Sequence, residues 1–336
     1  MGKVHVWLVE DGGPQSADEL QPFLRRRLSD PDRLRLPWWL GFLRGLVLWW
    51  RCRSSHKRLQ GPCAEIGRAP ELDSVQALAV EVQHALGGRY SVQSVFRHGD
   101  RGVAAAAAML EKGASVVVLD LAPDGAMQLR PDLKAALDRR GARVVVAGPW
   151  LGAQAWLRLR VRGIRAAVAR LVSKDGHLPD HELVFAIRSA SDERVESAAS
   201  ALRKALGRDR PVRLAHVPDL EGKARGRTPM ETLDEIAQSG SKPVIVVPIG
   251  FGSTHLEAAL ALGARLRARA EALGLTPYIE VPPPASEQEA GLMLAEVVQA
   301  AERAADWPVP EDDVRSDIEA ALRSQGIEPL ARGVRA

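Results

Sequence analysis

Glu257 and His255 stand two residues apart in Ser253-Thr254-His255-Leu256-Glu257, directly after the apolar run at residues 243–249. A carboxylate and an imidazole at the mouth of a strand can take up protons or hold a cation, so this pair is the first candidate for chemistry. The same spacing allows a quieter reading. Thr254-x-x-Glu257 fits a capping box, in which the Glu satisfies donors at its own helix start. His98 in Phe96-Arg97-His98-Gly99-Asp100 ends another strand-like run, where it reads either as a metal or ligand contact or as an ordinary surface ring. His177 and His181 are at i,i+4, but Pro179 between them argues against a helical zinc pair. Cys52 and Cys63 are the only cysteines, too few for a disulfide framework, a four-thiolate metal site or a [2Fe–2S] cluster. Neither G-x-G-x-x-G after the first strand nor G-x-x-x-x-G-K-[ST] occurs, which leaves nucleotide binding without support.

These residues must be positioned by strands and helices. Short β-branched or aromatic runs at residues 3–8, 91–96, 115–121, 142–148, 182–187, 211–217, 243–249 and 277–282 are each followed by a helical pattern. Such alternation predicts an α/β fold of parallel sheets covered on both faces by helices. Residues 116–126 (VVVLDLAPDGA) and 244–254 (VIVVPIGFGST) look like counterparts, both apolar strands that open into a Pro/Gly loop. This suggests two related doubly wound lobes, with ligands bound in the cleft between them. The composition of 172–181 places a boundary there, giving lobes at 1–172 and 173–306 and a C-terminal helix and tail at 307–336.

At 336 residues, 46% apolar and 26% charged, the chain can bury a substantial core. A net charge of +4 is too small and dispersed to indicate nucleic acid. No secretory signal is evident at the N-terminus and thiols are few, so a cytoplasmic setting is expected. Trp38, Trp39, Trp49 and Trp50 lie within 13 residues, flanked by Arg25, Arg26 and Arg27 on one side and Arg51, Arg53, Lys57 and Arg58 on the other. Arg44 and the shortness of Pro37 to Trp50 exclude a spanning helix, which needs roughly 20 apolar residues. Read as a helix, Trp39, Phe42, Leu43, Leu46 and Trp50 form one stripe. Segment 37–58 then suits a membrane interface or a protein partner, the other reading being a helix packed against the domain or in a dimer.

Two stretches carry a family resemblance. Gly12-Gly13-Pro14, Asp18-Glu19-Leu20, Pro22-Phe23-Leu24 and Leu28-Ser29-Asp30-Pro31-Asp32 resemble the N-terminus of ferrochelatases, enzymes that insert ferrous iron into a porphyrin. Val246-Val247-Pro248-Ile249-Gly250-Phe251-Gly252-Ser253-Thr254-His255-Leu256-Glu257 resembles the family's segment around its catalytic glutamate. The resemblance spans residues 3–305 and implies two Rossmann-like lobes with a porphyrin cleft between them. It implies catalytic roles for Glu257 and His255, with Glu257 also as a metal contact. It further implies substrate contacts at Arg188, His98, Trp38, Trp39, Phe42, Pro248, Gly250 and Ser253. Fe²⁺ and a porphyrin are the implied substrates, porphyrin or haem the implied partner, and no covalently bound cofactor is implied.

One departure is chemical. The family's Phe-Ser-Ala-His-Gly motif falls on Phe185-Ala186-Ile187-Arg188-Ser189, which puts Arg188 where the family has its histidine. A guanidinium stays protonated at any working pH, offers no lone pair and repels Fe²⁺. Arg188 either holds a carboxylate across the cleft, Glu257 included, or binds a propionate or another anion. Three outcomes stay open: a relative with impaired or altered catalysis, an active ferrochelatase using another base such as His98 or His216, and a non-catalytic scaffold acting through its Trp-rich surface.

Overall fold

The computed structural model describes residues 3–30, 34, 38–99, 102–122, 129–188, 193–207, 211–240, 242–282 and 287–305. The expected tail helix, Ser189, the loop at 123–126 and the side chain of Trp38 lie outside the described residues.

All eight expected strands form: β1 (Val4–Glu10), β2 (Tyr90–Phe96), β3 (Ser115–Asp120), β4 (Arg143–Val146), β5 (Glu182–Arg188), β6 (Val212–Val217), β7 (Val244–Ile249) and β8 (Tyr278–Glu280). They make two parallel four-stranded sheets, ordered β2-β1-β3-β4 and β6-β5-β7-β8. The two orders are the same once numbered within each half. The segments that look alike in sequence, β3 and β7, therefore hold equivalent third places. The strands β5 and β7 are buried along their whole length, as their unbroken apolar runs require when helices cover both faces.

Among the described residues, eleven α-helices precede, connect or follow the strands: α1 (Leu20–Leu28), α2 (Arg44–Ile66), α3 (Pro70–Leu86), α4 (Val103–Ala108), α5 (Pro131–Asp138), α6 (Gln154–Ala169), α7 (Glu193–Leu206), α8 (Pro229–Gln238), α9 (Leu256–Leu262), α10 (Ala264–Ala272) and α11 (Glu287–Ala304). Local signals set several ends. Pro70 opens α3 and Gly87, at φ +79°, closes it, while Thr228 and Glu231 form a complete capping box on α8. The Trp segment begins as a 3₁₀ turn over Trp38–Leu43 before continuing as α2, so the expected α stripe is broken at its start. No helix among the described residues is long and apolar enough to cross a membrane.

The two halves exchange their last helices. α6 packs on α7 and β7 of the second sheet, and α11 packs on α3, β3 and β4 of the first. One continuous apolar core results, joining Val6 and Leu8 of β1 to Phe185 and Ile187 of β5 through these helices. On α11, Glu302 accepts hydrogen bonds from the Tyr90 hydroxyl and from Arg89 Nη2, which ties the helix end to the start of β2.

Candidate functional site: a buried ion cluster between the carboxyl ends of two sheets

Parallel sheets place the carboxyl ends of their strands on one edge, and here the two edges meet. β1 ends in Glu10 and is followed by Asp11. Pairing runs on past β2, with Arg97 N–H donating to Glu10 O (2.9 Å) and His98 N–H to Asp11 O (3.0 Å). From the second half, β5 ends in Arg188, level with Val217 of β6, and the loop after β7 leads into α9. Gly250 opens that loop at φ +87°, and a side chain there would press on Val195 (3.2 Å) and on Arg188 Cβ (3.4 Å). The start of α3 secures the loop: Ser74 Oγ accepts from Thr254 N–H (3.2 Å) and Glu71 Oε2 from Leu256 N–H (2.9 Å). Gly13 lets Glu71 come this close, since a Cβ at residue 13 would stand 2.4 Å from Glu71 Oε1.

The helix cap differs from the sequence expectation. His255 is the N-cap of α9, its Nδ1 accepting from Glu257 N–H at 3.1 Å, so the Thr254–Glu257 capping box does not form. An imidazole nitrogen can accept as a hydroxyl does, and this frees the Glu257 carboxylate to point elsewhere. Glu257 Oε1 accepts from Arg27 Nη2 at 2.7 Å and Oε2 from Arg188 Nε at 2.9 Å, with all three side chains at most 2% exposed. Asp11 Oδ2 lies 3.7 Å from Arg27 Nε and 3.8 Å from Arg188 Nη2, completing the ring of charge. Phe251 packs beneath, its ring 5.7 Å from the Arg188 guanidinium and 5.8 Å from the His255 ring.

Burial and neighbouring charge set the titration of this cluster. Burial pushes the Glu71 carboxyl up, with His255 opposing. For His255, burial and Arg188 work against the charged form, but Glu71, Glu10 and Glu257 together outweigh them and raise its proton affinity. His98 is a different case: burial holds its pKa down to about 4, with Asp11 opposing. The ring is neutral at physiological pH, and its Nε2 has no hydrogen-bond partner among the described residues. It lies 3.8 Å from Asp11 Oδ1 and 3.7 Å from Asp30 Oδ2, and lines a cavity of about 520 Å³ with Arg26, Arg97 and Asp132. The surface placement that strand ends usually give a histidine is thus overturned here.

The sequence candidates separate into groups. Glu257, His255 and Arg188 come together, and His98 joins them through Asp11. Ser253 is buried with no partner for Oγ among the described residues, while Pro248 offers its carbonyl to Arg160 (2.9 Å). His216 stands opposite Ile187, so it leaves the sheet on the face away from Arg188. Trp39 (59% exposed) and Phe42 (81%) lie on the outside with Leu46, Trp49 and Trp50. Cys52 and Cys63 are buried thiols, burial pushing Cys63 up to about 11. Residues the sequence reading passed over are Arg27, Glu10, Asp11, Glu71 and Arg97. The available signal was two adjacent acids closing an otherwise apolar strand, since charge at a buried strand end calls for partners.

Chemically, both oxygens of Glu257 are engaged by guanidinium donors. An incoming metal cation would have to displace one of them against its charge. No group of three or more His, Cys, Asp or Glu among the described residues is arranged to hold a metal ion.

A family model described as Ferrochelatase matches residues 3–302. The chain belongs to the ferrochelatase family. Among curated relatives, the ferrochelatase of Nostoc sp. (strain PCC 7120) is 24% identical over 307 residues, covering 84% of this chain and 78% of the relative. That of Synechococcus elongatus is 25% identical with the same coverage, and that of Geotalea uraniireducens is 24% identical, covering 83% of this chain and 92% of the relative. Among solved structures, the sirohydrochlorin chelatase SirB from Bacillus subtilis subspecies spizizenii in complex with cobalt superposes with a TM-score of 0.46 at 12% identity, covering 93% of this chain and 98% of that one. CbiX, the terminal enzyme for biosynthesis of siroheme in denitrifying bacteria, gives 0.44 at 14% identity, covering 89% and 99%.

Proposed function

We propose that this ferrochelatase-family chain keeps a tetrapyrrole as its ligand but does not insert iron. The carrying observation is the Glu257 carboxylate gripped by Arg27 and Arg188 in a buried cluster. The family reaction needs a group that accepts pyrrole protons and tolerates an arriving Fe²⁺. Arg188 does neither, and it also takes up the glutamate that would have done so. His255 is spent on the helix cap and His216 faces away, leaving His98 as the free neutral base nearest the cluster.

The deciding experiment is anaerobic absorbance of the purified protein with protoporphyrin or coproporphyrin, followed by Fe²⁺. A shifted, saturable Soret band without conversion to the metalloporphyrin is the expected result. Conversion that Glu257→Gln abolishes would overturn the non-catalytic reading and make His98 the base to test next. Absence of any porphyrin signal would overturn the tetrapyrrole assignment.

A second reading concerns the outer face. Trp39, Phe42, Leu46, Trp49 and Trp50 are each more than half exposed, and Arg53 lies over the Trp49 ring at 5.8 Å. Aromatic side chains beside cations suit the boundary of an anionic bilayer, with the rest of the chain held at its surface. Support for this reading is co-sedimentation with phosphatidylcholine–phosphatidylglycerol vesicles, weakened by salt and lost when Trp39, Trp49 and Trp50 are changed to Ser. Equal binding to pure phosphatidylcholine would reject the electrostatic part, and no binding to either would leave a protein partner for this face.

A further inference from the structure

Three arginines are buried among the described residues, and two of them, Arg27 and Arg188, share Glu257. The third, Arg160 on α6, is 3% exposed and meets carbonyls only: Nη1 donates to Pro282 O (2.7 Å) and Nη2 to Pro248 O (2.9 Å). Its Nε has no acceptor among the described residues, and no carboxylate pairs with it there. A buried cation without a counter-charge is among the costliest arrangements a fold can hold, and it is normally relieved by pairing or by loss of the proton. Loss of the proton is not the relief here. Burial brings the guanidinium down only to about 10, so it stays charged at neutral pH.

Beside Arg160 lies a cavity of about 30 Å³, walled by Trp150, Trp156, Phe251, Gly252 and Met293. That volume suits one or two waters or one monatomic anion. We propose that this cavity is a halide site, holding one chloride against Arg160 Nε–H. The anion supplies a counter-charge that none of the described residues provides. Arg160 holds the Pro248 carbonyl on that strand, and the strand carries the loop to His255 and Glu257. Chloride there fixes the rear of the candidate site without touching the ion cluster in front of it, so the proposal stands or falls independently of tetrapyrrole binding.

Thermal unfolding of the full chain in sodium chloride, sodium bromide and sodium gluconate at matched ionic strength tests this. A saturable rise of several degrees in Tm with chloride and bromide, absent with gluconate and absent in Arg160→Met, is expected. An equal response to gluconate, or an unchanged halide response in Arg160→Met, overturns the proposal in favour of general salt effects. Should Arg160→Met fail to fold, crystals of the unmodified protein grown in bromide decide. An anomalous peak within hydrogen-bond reach of Arg160 Nε supports the site, and ordinary water at that position overturns it.

Discussion

Arg188 Nε donates to Glu257 Oε2 at 2.9 Å while Arg27 Nη2 donates to Oε1 of the same carboxylate at 2.7 Å, so one side chain of the second half is shared between its own sheet and α1 of the first. The cluster is a clasp as well as a candidate site. Glu257→Gln leaves two buried guanidiniums facing a neutral amide and is expected to cost roughly 3–5 kcal/mol, read from the urea midpoint. Replacing Arg27, Arg188 and Glu257 together by Met, Leu and Leu should recover most of that loss. A single Gln variant within about 0.5 kcal/mol of the parent would show that the clasp carries no stability.

Stability should fall on mild acidification because of His98. The unfolded imidazole takes up its proton near pH 6.5, whereas the folded one, desolvated and facing Arg97 and Arg27 against Asp11 and Asp30, refuses it until about 4. The folded pKa is depressed, so the contribution is complete above pH 6.5 and is lost as pH falls toward 4. The full difference is about 3 kcal/mol. Urea unfolding of the parent and of His98→Gln at pH 7 and pH 5 reads the part lost by pH 5, roughly 2 kcal/mol, as the difference between the two proteins, and His98→Gln should flatten the profile by close to one proton.

Tyr90 offers a spectroscopic check on the α11 tie. Its hydroxyl donates to Glu302, and burial with that carboxylate pushes the phenol up to about 12. The only other tyrosine, Tyr278, is also raised, by burial. Alkaline titration followed by phenolate absorbance should therefore show almost no ionisation by pH 11 in the folded protein. Tyr90→Phe should cost roughly 1–3 kcal/mol, the usual range when a buried carboxylate oxygen loses its donor, with Arg89 still holding the other oxygen.

Fluorescence should divide the tryptophans into two classes. Trp39, Trp49 and Trp50 are exposed, whereas Trp7, Trp150 and Trp156 are buried. Acrylamide should quench a distinct accessible fraction that shrinks when the first three are changed to Phe, with stability altered by less than about 0.5 kcal/mol. Uniform quenching would mean that the outer face is covered in solution.

The strands were legible because their signal is local: each apolar run sits among its own turn residues, and all eight appear where the runs predict. The likeness of residues 116–126 to 244–254 likewise corresponds to equivalent places in two sheets of the same order. The cluster was legible only in part. Arg188 opposite Glu257 was one of two open readings, whereas Arg27 meets Glu257 across 230 residues of chain. In Arg25-Arg26-Arg27 nothing marks the third as buried, because a charge is recognised as internal only once its partners are placed. Of the two readings at Thr254-x-x-Glu257, the capping box was the one that fails, because a hydroxyl is the commoner cap and here an imidazole takes that role.

The exchange of α6 and α11 has a mechanical consequence. Each sheet is sealed by a helix that belongs to the opposite half, so neither half can swing away without stripping apolar cover from both. Clamshell opening, the motion by which many two-lobed proteins admit their ligands, would cost this molecule apolar burial in both halves. Local movement of loops and side chains is the cheaper route inward, and the two sheets with their exchanged helices should unfold together as one cooperative unit.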